Sequence, residues 1–349
     1  MNLRCTPRLR QSGVSLIELM VALVIGLFLI LGAVTVYTQS RSTYQAIDAT
    51  SRVQEKARYA MSVLESDVRM ANFWGLNARA DYIVVDRDAV PGGVKLQALD
   101  EVADVIDECA ADWVLNLTEY VGGTDAGYTA LSGCAPSLGS HVAGTDVLVL
   151  RRAGTERLLA ANSMKANGIY IQTGRIKGTV FSTAATCSPL VEECIPSEYL
   201  PPKSETHDLV VLGYFVGSAS TGDASQPSLR RKRLVNGDTG ARILEEEILN
   251  GIEDFQVQFG VDTDATPDGN ADLFVNPGDA ALADGPVVAV RIWLRVRSDE
   301  QDFTFYDANS YQYGDMDAPA TISDADRRYR RVVVEKTIEL RNARGYDQT

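Results

Sequence analysis

Between Leu19 and Ser40 the chain carries no charged residue, and a glutamate, Glu18, stands at the head of that run. Residues 14–37 are long and apolar enough to cross a bilayer as a helix, which takes about 20 residues. A carboxylate in such a segment costs about 2.5–3.5 kcal/mol at mid-bilayer and less toward the interface, so its presence calls for a use. Arg4, Arg8 and Arg10 precede the run. A basic flank on that side predicts a cytoplasmic N-terminus, with the rest of the chain across the membrane.

Three readings of this segment compete. A secretory signal peptide is cut after its apolar core at a small-x-small site, and Thr38-Gln39-Ser40-Arg41 offers none that is convincing. A plain single-pass anchor explains the length but neither Glu18 nor the Ser12-Gly13 pair. The third reading places the cut before the apolar segment. Gly13 then ends a short leader and Val14 becomes the N-terminus, its amine one helical turn from Glu18, since positions four apart share a face. In an assembly, one chain's carboxylate can pair with a neighbour's amine and offset its burial cost.

The stretch Gly13-Val14-Ser15-Leu16-Ile17-Glu18-Leu19-Met20-Val21-Ala22-Leu23 resembles the class III signal and first helix of type IV prepilins. The resemblance implies cleavage after Gly13 and N-methylation at Val14 by a prepilin peptidase, with Glu18 as the assembly glutamate. Val14 departs from the phenylalanine usual at that position.

The net charge is −14, and loss of Arg4, Arg8 and Arg10 with residues 1–13 takes it to −14 − 3 = −17. Such an acidic chain is no nucleic-acid binder. The run Arg230-Arg231-Lys232-Arg233 reads as the solvated part of a strand. Cys5 leaves with the leader. Cys109, Cys134, Cys187 and Cys194 remain, an even count that in an exported chain suggests disulfides. The local pairing, Cys109 with Cys134 and Cys187 with Cys194, is preferred because each pair brackets a loop of turn residues. Zinc, the alternative, lacks CxxC spacing and nearby histidines.

Ile47, Val53, Ala57, Ala60, Met61, Leu64, Val68 and Ala71 recur at mostly three- and four-residue steps, and no Pro or Gly occurs from 33 to 74. One helix over about 14–72 is expected, on the order of 90 Å long. Residues 14–38 lie in membrane or fibre core, and 39–72 form an amphipathic half packed on a domain spanning 73–349. Strands are expected over 81–85, 146–152, 168–172, 208–216, 230–235, 252–261, 287–298 and 331–341. Residues 241–248 fit a helix or a strand equally. Residues 299–328, acidic and Tyr-rich, read as a long surface excursion.

The segments around Thr145-Asp146-Val147-Leu148, Asp208-Leu209-Val210-Val211 and Ile248-Leu249-Asn250-Gly251-Ile252-Glu253-Asp254-Phe255 resemble minor pilins of the PilW type and, more distantly, J-type pseudopilins of type II secretion. That resemblance implies an α+β, pilin-like fold: a helical spine on an antiparallel sheet domain with long disulfide-containing loops. It implies a subunit that primes or joins a pilus, and partners among other minor pilins, the major pilin, the inner-membrane assembly platform and a tip adhesin. A secretion pseudopilin is the nearest alternative. A membrane-anchored periplasmic enzyme or binding module is the alternative of another class.

Asp262, Asp264, Asp268, Asn270 and Asp272 form the one metal-like cluster. Oxygens at alternating positions around a glycine suit calcium, but the spacing does not fit a calcium loop of the EF type, and such residues also simply make turns. His141 and His207 sit in no catalytic motif and read as surface or loop residues. No GxSxG, phosphate loop or dinucleotide fingerprint is present, so no enzymatic chemistry is expected.

Overall fold

The computed structural model describes residues 13–77, 80, 83–84, 109, 112–158, 164–175, 178–182 and 204–343. It contains two compact units, Met1–Ser51 and Arg52–Thr349. Helix α1 spans Leu16–Met70, 55 residues, two shorter at each end than expected. In the first unit every large apolar side chain from 14 to 37 is more than half exposed. Thr35, Thr43 and Thr50 return their hydroxyls to the carbonyls four residues back, which satisfies them without solvent.

In the second unit α1 buries Val53, Ala57, Ala60, Met61, Leu64 and Val68 of the stripe predicted by periodicity, whereas Ile47, in the first unit, is exposed. The helix stops at Asn72, whose φ of 62° is left-handed, a conformation that asparagine tolerates better than most residues. The Asn72 N–H donates to the Arg151 carbonyl (3.2 Å). Its side chain accepts from Trp74 Nε1 (2.7 Å) and donates to the Asn342 carbonyl. Asn342 Nδ2 in turn donates to the Met70 and Ala71 carbonyls at the end of the helix, where carbonyls lack helical partners.

One sheet holds β1 (Ile83–Val84), β2 (Val121–Thr124), β3 (Val147–Ala153), β4 (Ile169–Gly174), β5 (Gly178–Ser182), β6 (Ser204–Gly217), β7 (Ser228–Gly237) and β8 (Gly240–Asn250). Its pairs are antiparallel except β1 with β5. The 14-residue β6 joins the sheet together, pairing with β3, β4 and β7. A second, antiparallel sheet runs β10 (Leu273–Val275), β9 (Ile252–Val261), β11 (Val287–Arg297), β12 (Arg331–Glu339). Asp146 links the two sheets. Its N–H donates to the Phe255 carbonyl (2.8 Å), and its carboxylate accepts from the backbone of Val257 and Ala126. Burial pushes that carboxyl up to about 7.

Residues 241–248 are strand β8. Their glutamates face the basic run of β7 in register: Glu247 opposite Arg230, Glu246 opposite Arg231 and Glu245 opposite Lys232. The expectation of a solvated basic run is corrected here. Arg230 and Lys232 are 4 % and 3 % exposed, and both bond to Glu245 (2.6 Å each). Opposite charges on facing strands are what the pairing of the two runs supplies. At Gly213 a side chain would meet Leu131 at 2.7 Å, so a layer of loops packs directly on this face of β6.

Residues 299–328 are a strap and not a free excursion. They cover Arg295 and Arg297 of β11, while Arg291 of the same strand stacks on Phe274. Tyr313 donates to Asp254 (2.6 Å), the Tyr311 ring lies 5.9 Å from the Arg295 guanidinium, and buried Asp307 accepts from Tyr311 and Arg331. Glu253 accepts from Arg295, Arg297 and Arg331.

Leu64 is fully buried in the seam between α1 and the sheets. Leu64→Ala should cost about 2–5 kcal/mol. Urea unfolding of the detergent-solubilised chain measures it, and a loss under 1 kcal/mol would show that the seam collapses around the gap.

Candidate functional site

Gly13 and Val14 precede the helix, and Glu18 lies in its first turn, where a carboxylate faces the positive end of the helix dipole. The first helical bond runs from the Leu19 N–H to the Ser15 carbonyl (3.1 Å). Behind Glu18 one helix of the described residues is long and apolar enough to cross a membrane.

Charged contacts tie α1 to the sheets beyond its apolar stripe. Asp67 meets Arg231 (2.9 Å), Arg152 (3.8 Å) and the Tyr214 hydroxyl. Glu65 meets Lys336 of β12 (2.5 Å), and that bond holds its carboxyl below the usual range. Lys56 reaches Asn250 (2.8 Å) and Asp299. Periodicity located the apolar stripe but could not reveal these partners, which lie 85 to 271 residues away in sequence.

In the acidic loop, oxygens of Asp262, Asp264 and Asp272 lie within 4.8 Å of one another. Asp262 is fully buried and accepts from the N–H groups of Gly269 (2.6 Å) and Asp264 (3.2 Å). Asp268 instead accepts from both nitrogens of Asn270, at 2.8 Å each. The trio supplies three of the six to eight oxygens that calcium takes. Repulsion, first from Asp272 and then with the help of burial, raises the Asp264 carboxyl above its ordinary range.

Cys109 and Cys134 form a disulfide, as expected from their local spacing. Cys187 and Cys194 lie outside the described residues. The reading of both histidines as surface or loop residues needs correction at His207. It lies in β6, 3 % exposed, with Nδ1 3.0 Å from the Glu156 carbonyl and Nε2 3.6 Å from Glu205. His141 is part-buried against Tyr128 and Thr145, and burial lowers its pKa.

Residues 213–342 match the family described as Type IV Pilus-assembly protein W, and residues 8–34 match the prokaryotic N-terminal methylation motif. Over residues 213–342 the chain is thus similar to that pilus-assembly family, and its N-terminus carries the methylation motif. The first match runs from the middle of β6 through β12, and so takes in the β7–β8 charge ladder, the acidic loop and the strap. The second holds Gly13, Val14 and Glu18. No curated protein matches the chain. Among solved structures, a type IV-like pilin from Thermus thermophilus is 13 % identical, covering 60 % of this chain and 81 % of its own, with a TM-score of 0.26. That likeness is too loose to bear on the assignment. The two family matches point to a structural protein of the pilin kind.

The Asp264 shift has a sign that can be tested. A carboxyl raised in the folded state holds its proton better than in the unfolded chain, so ionisation opposes folding and stability falls as pH rises. In chelator, Asp264→Asn should raise the Tm at pH 7, and the gain should vanish as pH falls below the carboxylate range. Thermal scans from pH 3 to 8 measure it; a lower Tm at pH 7 would mean that the carboxylate is structural.

Proposed function

We propose that this chain is a minor pilin of the PilW type that primes or joins a type IV pilus. It inserts by residues 14–38 with its N-terminus in the cytoplasm. A prepilin peptidase cuts after Gly13 and methylates Val14, and residues 73–349 fold in the periplasm before reaching the fibre. The observation that carries the reading is one juxtaposition. Gly13 and Val14 sit just ahead of a helix whose stretch to Tyr37 exposes all its large apolar side chains, with the one carboxylate of that stretch, Glu18, in the first turn. Such a surface needs lipid or other apolar helices around it. Once buried there, Glu18 needs a positive partner, and the freed Val14 amine of a neighbouring subunit supplies one. Glu18 therefore sets register between subunits and takes no part in catalysis.

The domain's share of the work is to hold the second half of α1 rigid. The stripe from Val53 to Val68, the Asp67 cluster and the Asn72 stop fix this part of the helix to two sheets. The proposal extends to the acidic loop, where a calcium ion would bridge Asp262, Asp264 and Asp272 and complete its shell with water. Millimolar calcium should then raise the Tm of the native chain and leave that of Asp264→Asn unchanged; equal shifts in both would remove calcium from this loop.

The intact mass and N-terminal sequence of the native protein test the processing step. A start at N-methylated Val14 is expected, and Gly13→Leu should leave residues 1–13 attached. An unchanged mature mass in Gly13→Leu would refute the assigned cleavage. Glu18→Ala should leave membrane levels intact and lower the subunit's abundance in sheared pili by roughly tenfold, as loss of a charge pair worth about 1.4 kcal/mol would give. Wild-type abundance in the fibres would contradict the pairing role.

A further inference from the structure

Asp125, Asp146 and Asp315 converge from three parts of the second unit: the turn after β2, the residue before β3, and the strap. One amide nitrogen, Asn276 Nδ2, reaches both outer carboxyls, Asp315 at 2.7 Å and Asp125 at 3.4 Å. Those two carboxyls also share a side-chain hydrogen bond. Carboxyls can bond to each other only with a proton between them, because an ionised one is an acceptor alone. Beneath the pair Asp146, 1 % exposed, accepts from the N–H groups of Ala126 (2.8 Å) and Val257 (2.7 Å). Ala126 stands at φ 48°, a left-handed conformation that is costly for a residue with a side chain, so this bond fixes the turn that carries Asp125. Among the described residues none of the three carboxyls has an ion-pair partner. The Arg295 guanidinium of β11 turns instead to Glu253 (3.2 Å) and Asp254 (3.6 Å) of β9, and Asp254 also accepts from the Tyr313 hydroxyl (2.6 Å). Burial and then repulsion from Asp125 raise the Asp315 carboxyl above its ordinary range, with Asp254 adding to the effect.

With a proton between them, Asp125 and Asp315 join the strap to the turn. Without it, two like charges face each other above Asp146, where partial burial limits screening by water. Asp146 keeps its two N–H donors in either state, so the turn and the joint between the sheets stay in place. The strap is held more lightly. Near Asp315 it keeps the Tyr313–Asp254 bond, and Gly314 rests on Trp293, where a side chain would meet the ring at 3.5 Å. We propose that Asp125 and Asp315 form a proton-dependent latch, which holds residues 311–317 of the strap down in acid and releases them as pH rises, uncovering Arg295 and Trp293 of β11. The closed strap binds the shared proton more tightly than the open one, so closure weakens as the proton is lost. The latch uses none of the residues 13–18 and does not depend on how the N-terminus is processed.

Hydrogen exchange of the full-length chain, in detergent with chelator and read by mass spectrometry at about pH 5 and about pH 8, tests this. After correction for intrinsic exchange rates, protection of residues 311–317 should fall at least about tenfold at the higher pH, the change that one pKa unit between closed and open strap gives. Protection of β9 and β11 should hold. Asp315→Asn and Asp125→Asn each remove the like-charge pair, and the new amide can donate to the carboxylate that remains. Both variants should therefore keep the strap equally protected at the two pH values. No fall in the native chain would overturn the proposal. So would a fall of the same size in the variants, or one that β9 and β11 share, since that would be general unfolding and not release of the strap.

Discussion

The last five turns of α1 bury one face against two sheets at once, and most of the second unit is arranged around that seam. Val53, Ala57, Ala60, Leu64 and Val68 supply the apolar contact. Asp67 then reaches the first sheet through Arg231, Arg152 and Tyr214, while Glu65 reaches the second through Lys336. The seam also needs a definite end. Asn72 supplies it by turning left-handed and bonding to Arg151 and Asn342, so the same residue stops the helix and ties it to β3 and to the chain after β12.

This acidic chain buries several of its basic side chains, among them Arg151, Arg230, Lys232, Arg295 and Arg297. Two basic rows, one on β7 and one on β11, are covered rather than solvated. The first is met by the glutamates of β8, the second by Glu253, Asp254 and the tyrosines of the strap. Breaking one member of such a buried pair leaves an uncompensated charge, which costs far more than a surface pair contributes. The consequence is register. Shifting β8 by one residue would turn Glu245 and Glu247 away from Arg230 and Lys232 and point Glu246 at the wrong face.

The N-terminal segment was legible because its signals are local. Charge exclusion from 19 to 40, the position of Glu18 and the basic leader all lie within 40 residues, and the family match to 8–34 falls on the same stretch. The strands read from alternation also hold, β9, β11 and β12 most closely. Elements lost in the reading were those too short to show a period, such as β10 and β2, or those whose identity rests on a partner. β8 is the clearest case: Ala-Arg-Ile-Leu-Glu-Glu-Glu-Ile has no preference of its own until the basic run of β7 lies beside it.

Spacing and hydropathy alone dictate a membrane-length helix led by a carboxylate, its continuation as an amphipathic stripe, and a strand-rich domain after it. Those signals act over a few residues. Only the tertiary structure decided that the basic run is buried, that the Tyr-rich segment is a strap, that His207 lies inside and that Asp125 meets Asp315. Each of these depends on contacts between residues far apart in sequence, where burial and charge pairing act through space and leave no local pattern to read.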